Sequence, residues 1–185
     1  MHNHFPKIFC FINKYNKNYI KRLSKDIGII YRNYNKKINK EEIKKIKKLC
    51  RDNKNKFYLA NNIKLAIKFN LDGVYLPAFN KDLKINLYPK KKNFIILGSA
   101  HNVTEIKTKE TQGVNCIFLS PIFITKKHNK FLGINKFNLL KKYTNKKIIC
   151  LGGINNSNLN KIKLLNIHGF ASVSLFKNNL KYIKY

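Results

Sequence analysis

Residues 147–176 read KIICLGGINNSNLNKIKLLNIHGFASVSLF, and this stretch decides the fold. Two apolar runs, KIICLG (147–152) and FASVSL (170–175), flank NSNLNKIKLLN (156–166), whose apolar residues recur at helical spacing. Strand, crossover helix and strand make the unit of a parallel sheet.

Working outward, the same unit recurs along the chain. IFCFI (8–12), IGIIY (27–31), KFYLA (56–60), GVYL (73–76), FIILG (94–98) and CIFLS (116–120) are further short runs rich in β-branched and aromatic residues. Most lack strict apolar–polar alternation, as strands covered on both faces do. Between them, residues 39–52 place Ile43, Ile46 and Leu49 on one helical face, with Asn39 as N-cap and Glu41 and Glu42 in the first turn. Further helices are expected at 61–70, 102–112 and 135–143, a brief one at 17–25, and a last one at 176–184. Eight strands with crossovers predict an α/β fold: a (βα)8 barrel forming one domain over residues 1–185. Such barrels usually need about 250 residues, so helices here must be shortened. PAFNKDLKINLYPKKKN (77–93) reads as a crossover with little helix.

The formal net charge is +31, from 39 basic and 8 acidic residues. That balance alone suggests a polyanion partner. Yet only Arg22, Arg32 and Arg51 are arginines, and nucleic-acid readers favour the bidentate guanidinium. The surplus is lysine, accompanied by asparagine and isoleucine, three residues with A/T-rich codons. Compositional drift accounts for it, no specific nucleic-acid partner is expected, and the field should speed the arrival of phosphorylated substrates. Cys10, Cys50, Cys116 and Cys150 are widely spaced, with no zinc pattern and no CxxC, which suits a reducing, cytoplasmic setting. No apolar run approaches the ~18 residues of a membrane span. The start, MHNHFPKIFCFINK, reads as a first strand rather than a signal peptide.

In an eight-fold barrel, chemistry sits after the C-terminal ends of the strands. LGGIN (151–155) ends a strand in Gly152-Gly153 ahead of a helix, where backbone amides can approach an anion. With Val173 and Ser174 after the next strand, these glycines form a candidate phosphate site. SPIFITKKHNKFLG (120–133) carries Thr125, Lys126, Lys127, His128 and Lys130, a hydroxyl and ammonium cluster suited to a diphosphate. ILGSAHNVTEI (96–106) puts Ser99 and His101 at a strand end. Ser99 is a candidate ligand donor, and His101 is expected to belong to the helix cap, with no carboxylate partner identifiable from sequence.

The ordered set GVYLPA, ILGSAHNVTEI, SPIFITK, LGGIN and ASVSLF resembles the thiamine-phosphate synthase family and its TenI-like thiazole-tautomerase relatives, over roughly residues 27–176. The resemblance implies a (βα)8 barrel and a magnesium-assisted transferase of thiamine biosynthesis. Such an enzyme couples hydroxymethylpyrimidine diphosphate to thiazole phosphate and releases pyrophosphate. It also implies site positions. Arg32, Ser99, Thr125 and Lys127 fall at catalytic places, with Thr125, Lys126 and Lys127 toward the pyrophosphate. Gly152, Gly153, Val173 and Ser174 fall at the thiazole-phosphate cradle. The chain departs from the family where Ile30 and Tyr34 replace Gln and Lys around Arg32, and where Ala60 and Ala78 replace Asn and Gln. Asn61 and Asn80 stand at the places of two metal-ligating Asp residues, and Tyr75 replaces a His. Three functions compete: a divergent synthase, a degenerate member that binds thiazole phosphate or thiamine phosphate without turnover, and a nucleic-acid-associated protein. The tautomerase His has no counterpart at Ser120-Pro121.

Overall fold

In the computed structural model, which describes residues 5–34, 39–125 and 129–178, eight parallel strands close into a barrel in sequence order. They are β1 (Ile8–Ile12), β2 (Ile27–Tyr31), β3 (Phe57–Ala60), β4 (Gly73–Leu76), β5 (Ile95–Ala100), β6 (Cys116–Leu119), β7 (Lys147–Leu151) and β8 (Gly169–Ser172). Closure comes from β1 lying beside β8, with Ile8 opposite Phe170 and Cys10 opposite Ser172. Every expected run becomes a strand, because each is apolar on both faces and satisfies its backbone only through neighbours in a closed sheet.

The helices follow their caps. In α1 (Lys17–Arg22) the Asn16 side chain accepts from the Tyr19 amide. In α2 (Lys40–Asp52) Asn39 accepts from the amides of Glu41 and Glu42. In α3 (Ile63–Lys68) Asn62 accepts from Leu65, and in α4 (Val103–Thr111) Asn102 accepts from Glu105. Each cap satisfies an amide that has no partner inside the helix. α5 (Gly133–Lys141), α6 (Leu159–Ile162) and α7 (Leu175–Asn178) complete the ring. The thin crossover at 77–93 holds a single 3-10 turn, Leu83–Leu87.

Two helices differ from expectation. α6 covers four residues, not the eleven of 156–166. The Asn155 side-chain oxygen Oδ1 accepts from the amides of Ser157 and Asn158, so an Asx turn replaces the expected first helical turn. The last helix begins at Leu175, one residue early, and the rest of the expected 176–184 segment lies outside the described residues.

The core has two shells. Phe9, Phe11, Ile30, Tyr58, Tyr75, Leu97, Phe118 and Ile149 fill the barrel, while Ile20, Ile43, Ile46, Ile106 and Phe137 pack between sheet and helices. The filling is unusually aromatic. Phe11, Tyr75 and Phe118 meet edge-on, with centroids 5.2 Å, 5.5 Å and 6.3 Å apart. They fill the barrel interior, and of the three Phe11 lines the cavity at the C-terminal mouth.

Candidate active site at the barrel mouth

A cavity of about 310 Å³ opens at the C-terminal ends of β1, β2 and β8, lined by Phe11, Ile12, Asn13, Lys14, Asn16, Tyr19, Arg32 and Val173. Arg32 follows β2 directly. Its amide donates to the Ile12 carbonyl (2.8 Å) and its guanidinium lies 4.5 Å from the Phe11 ring centroid. A cation over an aromatic face is held in place while its N–H groups stay free to turn toward an anion. The loop after β1 is tied down from two sides. Glu42 accepts from the Tyr15 amide and from the Tyr31 hydroxyl (2.7 Å), and Tyr19 meets the Cys10 thiol at 3.1 Å. Burial, with the Glu42 bond second, pushes the Tyr31 phenol up to about 12, so it stays protonated as a donor. Asn13 and Lys14 were not singled out by the sequence. Their signal is positional, since they follow a barrel strand at its C-terminal end.

Ser99, the last residue but one of β5, is buried and bonds to the Tyr75 phenol. Burial raises the pKa of that phenol, opposed by the Ser99 bond and the Arg32 charge. Where the family pattern has an imidazole, this chain therefore holds a neutral pair of hydroxyls, Tyr75 and Ser99, bonded to each other. His101 follows β5. Its Nδ1 lies 2.8 Å from Glu105 Oε2, which also accepts from the His101 amide (2.7 Å). It belongs to the helix cap as expected, with Glu105 as the carboxylate partner that sequence did not identify.

The ends of β6, β7 and β8 form one packed unit. Ile122 donates to the Leu151 carbonyl (2.9 Å) and Phe123 to that of Gly152 (3.1 Å), so the loop after β6 continues the sheet beside the glycines. Gly152 and Gly153 have φ of 99° and 70°. A Cβ on Gly153 would stand 2.3 Å from the Ile124 carbonyl oxygen, and one on Gly152 2.7 Å from Pro121 Cβ. Both positions thus require glycine for close approach as well as backbone sign. The Asn158 amide nitrogen donates to Gly153 O (2.8 Å) and Ser172 Oγ accepts from Leu175 N (3.1 Å), which fixes both loop ends. The amides of Gly153, Val173 and Ser174 donate to nothing among the described residues, and Val173 and Ser174 are exposed. Asn155 covers the amides of Ser157 and Asn158 ahead of α6, which leaves the amides of Gly153, Val173 and Ser174 available to an anion here. Thr125 is half-buried in the loop after β6, while Lys126, Lys127 and His128 lie outside the described residues.

At β3 and β4 the arrangement is neutral. Asn61, in the left-handed region at φ 58°, accepts from Asn80 Nδ2 through Oδ1 (2.7 Å). Asn80 Oδ1 accepts from Asp82 N and from Gln112 Nε2, both at 3.0 Å, so its lone pairs are taken. Lys109 donates to the Asn80 main-chain oxygen (2.6 Å) from behind. No group of three His, Cys, Asp or Glu capable of holding a metal occurs among the described residues. This donor set, two mutually bonded amides backed by an ammonium, does not fit a carboxylate-held magnesium ion. Beside it the Tyr34 and Phe79 rings meet at 5.5 Å, both exposed.

Comparison with known proteins agrees with the fold and the motifs. The family described as thiamine monophosphate synthase matches residues 22–176. The thiamine-phosphate synthase of Pelagibacter ubique is 35% identical over 145 residues, covering 75% of this chain and 68% of that protein. That of Prochlorococcus marinus subsp. pastoris is 32% identical over 143 residues, covering 76% of this chain. The chain spans only about 40% of the length of that relative. Among solved structures, thiamine phosphate pyrophosphorylase from Pyrococcus furiosus superposes with a TM-score of 0.73 at 18% identity, over 91% of this chain and 85% of that one. FabK from Thermotoga maritima, at 12% identity, superposes with a TM-score of 0.69 over 92% of this chain and 58% of that one. At such identities the superpositions speak to the barrel alone.

Proposed function

The chain belongs to the thiamine monophosphate synthase family, and from this premise we propose that it joins hydroxymethylpyrimidine diphosphate to thiazole phosphate, releasing pyrophosphate. The observation that carries this reading is the trio of amides at Gly153, Val173 and Ser174, unpartnered among the described residues, with Val173 lining the cavity that also holds Arg32. One anion can rest on the amides while a second faces Arg32 and Lys14, in the cavity that Phe11 lines.

In this reading the carbon–oxygen bond between the pyrimidine methylene and the diphosphate breaks, and the electron pair leaves with pyrophosphate. The thiazole nitrogen then forms the new carbon–nitrogen bond, and no proton needs to move. The protein's task is positioning and charge stabilisation. Arg32, Lys14 and Thr125, with the lysines that follow Thr125 in sequence, supply positive potential and donors to the departing group. Phe11, backed by the Tyr75 and Phe118 rings packed against it, supplies an aromatic wall that keeps water from the pyrimidine cation. The Asn61–Asn80 corner does not fit the magnesium ion that the family resemblance implies, so charge on the departing group is met by Arg32, Lys14, Thr125 and those lysines.

A second reading has its own observation. Replacing two carboxylates by mutually bonded amides removes charge from the diphosphate side and leaves the cradle, as expected of a chain that binds thiazole phosphate without turnover. Both readings place a single domain in the cytoplasm, with small phosphorylated ligands and no membrane or specific nucleic-acid partner. Among the described residues no helix is long and apolar enough to cross a membrane.

The deciding assay supplies pyrimidine diphosphate and thiazole phosphate to the purified protein, with and without a chelator. Thiamine phosphate and pyrophosphate should accumulate in equal amounts. Saturable thiazole-phosphate binding without product would favour the second reading.

A further inference from the structure

Lys109 lies on α4 and is fully buried. Its stem runs over the outer face of β5, where a Cβ on Gly98 would stand 2.8 Å from Lys109 Cδ, so the glycine leaves its path open. The ammonium has two acceptors: the Asn80 main-chain oxygen at 2.6 Å and Gln112 Oε1 at 2.8 Å. Gln112, also fully buried, sends Nε2 to Asn80 O (3.2 Å), Asn80 Oδ1 (3.0 Å) and Asp82 O (3.0 Å). Two buried side chains from one helix end thus grip one residue of the loop after β4, and through Asn80 Nδ2 they fix Asn61, which follows β3. Among the described residues no carboxylate bonds to the ammonium. Glu105, on the same helix, acts on it only at a distance through its charge while turning Oε2 to His101, and Asp82 turns its Oδ1 to the Lys84 amide.

A buried charge keeps its full reach in a medium of low dielectric, and hydrogen bonds to neutral acceptors do not cancel it. A divalent cation seated on the Asn61 and Asn80 oxygens would compete with Asn80 Nδ2 and Gln112 for the same lone pairs. It would also stand across a single residue from a fixed like charge.

We infer that Lys109 is a positioning residue that locks the β3–β4 corner through Asn80 and serves as the fixed cation there, so that the corner keeps its geometry without a divalent metal and rejects one. The inference rests on the synthase reading only in treating this corner as part of the ligand site, and its test needs no turnover.

The test is Mn2+ titration of the full chain, followed by the loss of the free ion's paramagnetic resonance signal. Wild-type protein should leave the signal undiminished at stoichiometric Mn2+. The Asn61→Asp/Asn80→Asp protein should bind Mn2+ about tenfold more weakly, or worse, than the same pair combined with Lys109→Met, the scale on which one near like charge acts on a carboxylate site. One Mn2+ per wild-type chain, abolished by Asn61→Ala/Asn80→Ala, would overturn the inference. So would equal Mn2+ affinity with and without Lys109. Should Lys109→Met not fold, Lys109→Gln takes its place, and the wild-type titration decides by itself if neither folds. Failure of the coupling assay leaves this titration readable, and the reverse holds as well.

Discussion

Replacing Gly153 by alanine should cost the protein about 2–5 kcal/mol, and the geometry says where that comes from. A φ of 70° is unfavourable for any residue with a Cβ, by roughly 1–2 kcal/mol. The added carbon would lie 2.3 Å from the Ile124 carbonyl oxygen and 2.6 Å from that of Phe123. Those neighbours are backbone, so the loop after β6 must shift as a unit, at roughly 1–3 kcal/mol for overpacking. For a chain of this size each kcal/mol lowers the melting midpoint by roughly 2–4 °C, which gives a drop of about 5–20 °C. Denaturant unfolding read by fluorescence and far-ultraviolet dichroism measures the cost directly. Thiazole-phosphate affinity should fall in the same variant, because the amide of residue 153 moves with the loop. A loss under about 1 kcal/mol with unchanged affinity would refute both the close approach and the assignment of this turn to the cradle.

Two further outcomes follow from burial. His168 packs 5.0 Å from the Phe5 ring, and its Nε2 is buried without a partner among the described residues. Burial first, then the Lys147 charge, holds its pKa below the ordinary 6.5, while the carbonyls of Phe5 and Pro6 oppose the shift. The unfolded chain therefore takes up the proton more readily, so the stability contributed by neutral His168 is complete above about pH 6.5 and is lost as pH falls toward the folded value. Melting midpoints from pH 8 to pH 5 should fall more steeply for wild type than for His168→Phe, and parallel curves would contradict the assignment. All four cysteines are buried and unpaired, and burial pushes the Cys10 thiol up to about 11 and that of Cys50 to about 12. Native protein should therefore react slowly with an aromatic disulfide reagent, and four thiols should appear in denaturant; a fast native equivalent would show an activated thiolate.

The barrel was legible because its strands are covered on both faces, so runs such as IFCFI and CIFLS carry the signal unaided. Helix caps at Asn39 and Asn102 were legible for the same local reason. α6 was not, because the competing Asx turn of Asn155 depends on which oxygen wins the amides of 157 and 158. At the candidate site, motif order singled out Arg32, Ser99, Gly153 and Val173, but not what they touch. Lys109 was illegible, since a lysine on an amphipathic helix reads as solvated surface. The faint trace was Gly98, a glycine inside a strand, which leaves space for that lysine's stem. The carboxylate partner of His101 was hidden as a cap residue, Glu105, four positions on.

In the proposed function, the three amides at the ends of β7 and β8, unpartnered among the described residues, hold the ligand's phosphate. Amide nitrogen–proton spectra during titration with thiazole phosphate test it most directly. The account predicts saturable shifts at Gly153, Val173 and Ser174, with the amides of Ser157 and Asn158 unmoved behind Asn155. Shifts at Ser157 and Asn158 with the three cradle amides still would contradict it.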